Sequence, residues 1–161
     1  MSSDSLVPKV LSIQRLCKRR GIRFTPARRR VVKMLADAQG PLKAYTILEA
    51  IRLENPSTAP TSIYRVLEFL QAQGWAVKLN SINAYLLTPA GSAWGCTFLV
   101  CEHCGSVDTV HGPSLHSALT TDAQMAKFTP ASKTLEISGT CSNCRSKLQI
   151  KAGSAGDPLH Q

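Results

Sequence analysis

The 161-residue sequence predicts an α+β protein with a helical front part and a small α/β back part. Helix-spaced apolar stripes, followed by two short strand patterns, fill residues 1–88. Residues 1–80 carry 14 Lys and Arg against 5 Asp and Glu, whereas residues 81–161 carry 5 of each. The second half also contains two CxxC pairs. The basic half and the cysteine-bearing half therefore point to different ligands.

Four helices followed by a hairpin are predicted in the front part. The helices cover residues 5–20, 26–38, 44–54 and 62–73. Gly21 offers a stop for the first helix, Thr25 and Pro26 suit the start of the second, and Thr61 is the expected cap of the fourth. Strands are predicted over residues 75–79 and 84–87, with a turn at 80–83. Helix–turn–helix followed by a hairpin is the order of a winged helix.

The basic winged helix predicts a polyanionic partner, with double-stranded DNA as the first candidate. On the fourth helix, Arg65 suits guanine O6 and N7, and Tyr64 suits thymine methyls and phosphate. The alternative for Arg65 is a surface ion pair with Glu68, three residues on. A membrane is a weaker candidate because no basic helix has a strong Trp/Phe/Leu face. The residues predicted here for DNA contacts are Ser62, Tyr64 and Arg65, with Arg28, Arg29 and Arg30 on phosphates.

The back part is predicted as a small α/β module that follows a hinge. Strands are expected over residues 98–100, 106–110, 133–138 and 146–151, with a helix over 114–127. The predicted boundaries are 1–88 for the winged helix, 89–96 for the hinge, 97–152 for the module and 153–161 for a disordered tail.

The two CxxC pairs predict a structural Zn²⁺ site. Each pair offers two thiolates from one tight turn, and two such turns complete a tetrahedral site with no open position. The predicted ligands are Cys101, Cys104, Cys141 and Cys144. The rival interpretation is a thiol oxidoreductase, which needs one pair at the start of a helix. Because both pairs are predicted to follow strands, zinc is favoured.

Several function classes receive no support from the sequence. No run of 18 apolar residues indicates a membrane span, and residues 1–10 do not look like a secretion signal, so a cytoplasmic protein is expected. No P-loop, HExxH or Ser/His/Asp order indicates catalysis or a small-molecule substrate. Cys17 and Cys96 are left over, and packing is their default role.

With these motifs, the chain resembles the ferric uptake regulator superfamily, and most closely its zinc uptake regulator branch. The resemblance covers about residues 16–149. Its specific stretches are RFTPARRRVV (23–32), KAYTILEAIR (43–52), APTSIYRVLEFLQAQGWAVKLNSINAYLL (59–87), FLVCEHCGSV (98–107) and TLEISGTCSNC (134–144).

The resemblance implies a homodimeric, metal-responsive transcriptional repressor, here of zinc-uptake genes. The back part would be the dimerisation domain and the four paired cysteines its structural zinc site. Family DNA contacts carry over onto Tyr45, Tyr64 and Arg65. Glu49 and Arg52 match positions through which neighbouring dimers pair on DNA.

The chain departs from the family at the regulatory metal site. Thr88, Val77, Lys78, Trp94, Thr109 and Lys133 stand near positions where the family places sensor ligands. The spare donors are Cys96, His103, Asp108, His111 and His116. Either a second zinc site is rebuilt from these donors at the hinge, or DNA binding is metal-blind. A third alternative is a response to another metal or to oxidation at Cys96 or Cys17.

Overall fold

A computed structural model describes residues 10–88, 96–129 and 134–154. The front part contains α1 (Val10–Arg19), α2 (Pro26–Asp37), α3 (Ala44–Arg52), α4 (Pro60–Ala72), β1 (Ala76–Leu79) and β2 (Ala84–Leu87). The back part contains β3 (Cys96–Cys101), β4 (Val107–His111), α5 (Pro113–Met125), β5 (Leu135–Gly139) and α6 (Ser142–Ser154). This mixed architecture confirms the predicted α+β class. No helix in the described ranges is long and apolar enough to cross a membrane.

The front core forms where the apolar stripes of the four helices meet the hairpin. Its fully buried side chains are Ile13, Cys17, Val31, Val32, Ile47, Leu67, Leu70 and Trp75. The Thr25 hydroxyl accepts the Arg28 backbone N–H at 3.3 Å and Pro26 takes the first turn, so α2 starts as predicted.

The wing is the β1–β2 hairpin, residues 76–87. Its strands pair antiparallel, with Ala76 opposite Leu87. Leu42 adds a bridge to Tyr85 through two backbone hydrogen bonds of 2.9 and 2.7 Å. The Trp75 N–H donates to the Leu70 carbonyl at 2.9 Å, immediately before the hairpin. The wing and α4 are therefore tied together.

The back part is a three-stranded sheet in the order β4-β3-β5. Strand β3 is antiparallel to β4 and parallel to β5. One face of β3 presents Cys96, Phe98 and Val100, which pack with Val77 and Leu79 of the wing. The opposite face carries Leu99 and Ile137, which face each other in register and remain 38% and 47% exposed.

Four expectations about boundaries are corrected by the structure. The strand predicted over 146–151 is part of helix α6, because the second CxxC turn opens the helix and Arg145 and residues 147–149 are strong helix formers. Thr61 is not the cap of α4; Ala59 is, since Pro60 suits the first helical position. Helix α3 ends at Arg52, two residues before the predicted end at residue 54. Helix α6 includes residues 153 and 154, assigned to the tail.

Some sequence-based expectations lie outside the described residues. These are the start of the first helix at residues 5–9, most of the hinge at 89–95, and the tail at 155–161. Cys96, assigned to the end of the hinge, is the first residue of β3.

Candidate metal centre and nucleic-acid interface

The four paired cysteines converge into one cluster, which we call the four-cysteine cluster. Its members are Cys101, Cys104, Cys141 and Cys144. All four Sγ atoms lie within 4.8 Å of one another, and the Cys104 and Cys141 sulfurs are 3.7 Å apart. Four thiolates at this separation form a donor set suited to tetrahedral Zn²⁺. The cluster can therefore hold a metal ion and leave no open position for catalysis.

Two tight turns hold these thiols in place. In the first, the Gly105 N–H donates to the Cys101 carbonyl at 2.9 Å, and Gly105 has a φ of 69°. Glycine meets this left-handed conformation without strain. In the second, the Cys144 N–H donates to the Cys141 sulfur at 3.4 Å, so this thiol caps the start of α6.

Hydrogen bonds shift the pKa values of two thiols of the cluster in opposite directions. Backbone N–H groups of Cys141 and Cys104 lower the pKa of Cys101 to about 6. Side-chain hydrogen bonds with Cys141 and Cys104 raise the pKa of Cys144 to about 12. A metal ion that binds all four sulfurs must therefore displace a proton from Cys144 at neutral pH.

The second CxxC pair lies at the junction of a strand and a helix. Both pairs follow strands, as the sequence predicts, and Cys141 also directly precedes helix α6. A helix N-terminus is where redox CxxC motifs lie. What distinguishes a zinc site from a redox dithiol here is that both pairs converge, because a redox dithiol needs one pair and the structure brings two together. Zinc remains the better match.

Among the spare donors, the structure brings together Cys96 and His111. They face each other across β3 and β4, with the Cys96 Sγ at 3.3 Å from the His111 Nδ1. Burial raises the pKa of the Cys96 thiol. Within the described part of the chain, no third His, Cys, Asp or Glu joins them in a cluster of metal-ligand geometry.

The remaining spare donors lie apart. His103 is exposed inside the first CxxC turn, and Asp108 lies opposite Leu99 on the other face of the sheet from Cys96. His116 is half-buried on α5, and its Nε2 has no hydrogen-bond partner among the described residues. At the family's wing position, the Thr88 hydroxyl donates to the Gly74 carbonyl at 3.2 Å. The Thr88 side chain therefore joins the end of the wing to the turn that precedes it.

The outward face of α4 carries three of the residues predicted for DNA contacts. Ser62, Tyr64 and Arg65 are exposed, while Ile63, Val66 and Leu67 are buried. No ion pair between Arg65 and Glu68 is found in the described ranges. A contact of the Arg65 guanidinium with a base edge stays a prediction.

Two of the three arginines of α2 already have partners within the front part. The Arg28 guanidinium lies 3.4 Å from the centroid of the Phe69 ring and donates to the Arg23 carbonyl. Arg30 pairs with Glu54. Arg29 is exposed, 5.9 Å from the Phe24 ring centroid. A phosphate contact therefore stays a prediction for all three, and it is best supported for Arg29.

Arg28→Ala is expected to weaken folding rather than to lower DNA affinity selectively. The cation–π contact and the hydrogen bond together contribute about 1–2 kcal/mol to the free energy of unfolding. Arg29→Ala, the matched control, should change this by less than about 0.5 kcal/mol. Urea unfolding of zinc-loaded protein, followed by the fluorescence of buried Trp75, measures both. Equal midpoints for the two variants would contradict a structural role of Arg28.

The α3 residues implied by the family resemblance make hydrogen bonds within the front part. Tyr45 is 64% exposed, and a hydrogen bond with the Glu49 side chain raises the pKa of Tyr45. Arg52 donates from Nε to the Thr58 carbonyl at 3.0 Å, just before α4. Tyr45 is thus linked to Glu49 within α3, and Arg52 links α3 to the segment that precedes α4.

The fold and the cluster define a class: a winged-helix protein with a four-cysteine metal centre. The model of the ferric uptake regulator family matches residues 19–138. The chain belongs to the ferric uptake regulator family.

Individual relatives give the same result. The chain is 28% identical to the zinc uptake regulation protein of Escherichia coli K12 over 136 residues, which is 81% of this chain and 78% of the relative. A structure described as a zinc uptake regulator complexed with zinc and DNA matches with a TM-score of 0.79 and 26% identity, over 89% of this chain and 95% of the other. Holo XcZur matches with a TM-score of 0.76 and 36% identity, over 85% and 96%.

Proposed function

We propose that this chain is a zinc-responsive, sequence-specific DNA-binding regulator that represses zinc-uptake genes. The observation that carries the proposal is the likeness, over 89% of the chain, to a zinc uptake regulator complexed with zinc and DNA. The exposed face of α4 and the four-cysteine cluster supply the two chemistries that this function needs. The proposed activity is binding, with no catalytic step.

Recognition is assigned to α4 in the major groove. Arg65 would donate two hydrogen bonds to a guanine, and Tyr64 would contact a thymine methyl or a phosphate. Ser62 would reach a phosphate from the first turn of the helix. Arg29 of α2 and Tyr45 of α3 lie on exposed positions where they would add phosphate contacts. Glu49 and Arg52 would join neighbouring dimers.

The second partner in the proposal is another copy of the chain. The sheet face opposite the wing exposes Leu99, Val110 and Ile137, and α5 exposes Leu115 and Leu119. Apolar groups in this number are costly to leave in water. A two-fold dimer through this face would pair two α4 helices with two half-sites of a palindrome.

The test is selection of a preferred duplex from a random DNA pool, followed by titration at fixed salt. The selected duplex should bind at least about a thousandfold more tightly than a scrambled duplex of equal composition. Two chains, or a multiple of two, should bind each palindromic site. Equal affinity for both duplexes would overturn the proposal, because charge alone would then explain the binding.

The Cys96–His111 pair is our candidate for the core of a regulatory zinc site. Zinc in proteins binds Cys sulfur and His nitrogen, usually four ligands in all. Cys96 and His111, with Sγ and Nδ1 3.3 Å apart, would supply two of them. His116 is proposed as the third ligand because its Nε2 lacks a partner among the described residues, and it would have to move towards the pair, since it does not join them in a cluster there. His103 and Asp108 are less suited, because Asp108 lies on the opposite sheet face and His103 in the exposed first CxxC turn.

Cys96→Ser is expected to abolish zinc-dependent tightening of DNA binding while the four-cysteine zinc is retained. Cys17→Ser is the matched control, because Cys17 is equally buried but lies in the front core. Zinc content and DNA affinity at two buffered zinc levels measure the effect. If Cys96→Ser keeps the zinc count and the zinc response of the control, the regulatory site lies elsewhere.

A further inference from the structure

Glu136 of β5 reaches from the back part to the tip of the wing. Its Oε1 accepts the Asn80 N–H at 2.8 Å, and its Oε2 accepts the Ser81 N–H at 3.1 Å. The Ser81 hydroxyl donates to the same Oε2 at 2.8 Å. One carboxylate therefore receives three hydrogen bonds from two turn residues that are 56 and 55 positions away in sequence. Partial burial works against the charged form, yet these bonds hold the pKa of Glu136 below its ordinary value.

The strand register places this contact beside an apolar one. Glu136 is paired with Phe98, so it lies on the sheet face that packs on the wing. There Phe98, Cys96 and Val100 contact Val77 and Leu79. Apolar packing lets two surfaces slide, whereas three directed hydrogen bonds to one carboxylate fix their relative position.

Fixing the wing also fixes α4. The Trp75 N–H donates to the Leu70 carbonyl, and the Thr88 N–H donates to the Trp75 carbonyl at 3.0 Å. Trp75 is fully buried and meets Phe69 of α4 edge-to-face, with ring centroids 5.7 Å apart. The wing and α4 therefore move as one body, and the direction of α4 follows that of the wing.

We propose that Glu136 is a positioning residue that latches the wing onto the dimerisation sheet and thereby sets the orientation of α4. The latch consists of Glu136, Asn80 and Ser81. This inference rests on the proposed DNA-binding function for its consequence, but the latch is a property of the protein alone. In a dimer, two latches fix the distance between two α4 helices, which decides the fit to two half-sites.

Removing the charge of Glu136 and removing its positioning role are expected to change DNA affinity in opposite directions. Removing a carboxylate from a protein of net charge +9 raises its attraction for DNA. Loss of the latch lowers affinity for the selected duplex, because α4 then samples orientations that do not fit. A fall in affinity for the selected duplex therefore indicates loss of positioning, and a rise indicates the effect of charge alone.

The test uses the zinc-loaded full chain with Glu136→Ala, Glu136→Gln and Ser81→Ala. Glutamine keeps one acceptor oxygen, so Glu136→Gln should lie between the alanine variant and the unmodified chain. Asp122→Asn is the matched control, because Asp122 is an exposed carboxylate of α5. Unchanged circular dichroism and zinc content verify that each variant folds.

Two readouts test the latch without DNA. Hydrogen exchange of the Asn80 and Ser81 amides should accelerate about tenfold or more in Glu136→Ala, because both lose their acceptor. Small-angle scattering should show a larger radius of gyration than for Asp122→Asn. Unchanged exchange, or superimposable scattering curves, would overturn the latch.

The third readout is the ratio of affinities for the selected and scrambled duplexes. Glu136→Ala should lower this ratio about tenfold, and Asp122→Asn should not. In a double-mutant cycle, Ser81→Ala should have no further effect once Glu136 is alanine. An unchanged ratio with accelerated exchange would overturn the positioning role. If the unmodified chain does not discriminate between duplexes, the proposed function fails, and exchange and scattering still decide the latch.

Discussion

Cys141→Ser is expected to remove zinc from the four-cysteine cluster and to unfold the back part. Cys141 contacts other members of the cluster: its sulfur is 3.7 Å from that of Cys104 and accepts the Cys144 N–H. Loss of this ligand breaks the link between the end of β3 and the start of α6. A structural zinc site of this type contributes about 10–16 kcal/mol. Whole domains are stable by only about 5–15 kcal/mol.

The back part has few other sources of stability. Strands β4 and β5 are mostly exposed along their length, and the sheet buries few large side chains apart from Phe98 and Val100. Small modules of this kind depend on metal for folding. Cys17→Ser is the control, because Cys17 is a buried thiol outside the cluster.

The measurement is zinc content together with thermal unfolding by circular dichroism. We expect Cys141→Ser to lose the tightly bound zinc and the cooperative transition of the back part, and Cys17→Ser to keep both. A strong chelator should reproduce the effect in the unmodified chain. A variant with full zinc content and an unchanged transition would show that the cluster does not hold structural zinc.

Arg65→Ala is expected to reduce affinity for the selected duplex by roughly 1–3 kcal/mol and to relax the choice of one base pair. Arg65 is exposed on α4 beside the buried residues Val66 and Leu67, so its backbone is held firmly by the core. A bidentate contact to guanine O6 and N7 requires the planar guanidinium. Affinity for a scrambled duplex should fall far less.

Arg65→Lys is the matched variant, because it keeps the charge and removes the fork of two donors. Base discrimination should be lost in both variants, whereas the salt dependence should weaken only in Arg65→Ala. Titration of single-base variants of the selected duplex at fixed salt measures this. Unchanged discrimination in Arg65→Lys would assign Arg65 to phosphate instead of a base.

Local patterns in the sequence were sufficient for most of the front part. Apolar periodicity placed the four helices, and the Thr25–Pro26 pair marked the start of α2 because capping is decided by neighbouring residues. The cysteine spacing was sufficient for the four-cysteine cluster, since each CxxC turn is local and zinc chemistry requires both.

The errors and omissions came from contacts that local patterns do not encode. Residues 146–151 have apolar positions compatible with a strand, but the cysteine turn starts a helix there. The stacking of Arg28 on Phe69 and the hydrogen bonds of Glu136 join residues far apart in sequence. Charge counting assigned Arg28 to DNA because composition does not reveal a partner inside the domain.

The pairing of Cys96 with His111 is an intermediate case. The sequence identified both as spare donors, and strand register then placed them opposite each other. Register between β3 and β4 depends on the turn at Gly105 and on packing against the wing. Sequence patterns alone do not fix such a register.

The most direct test of zinc-responsive regulation is DNA affinity at two buffered free-zinc levels, at fixed salt. The lower level must leave the four-cysteine zinc in place. We predict that affinity for the selected duplex rises about tenfold or more at the higher level, which corresponds to about 1.4 kcal/mol. Tight binding that is equal at both levels would contradict zinc-responsive regulation and would favour a metal-blind regulator or one that answers another signal.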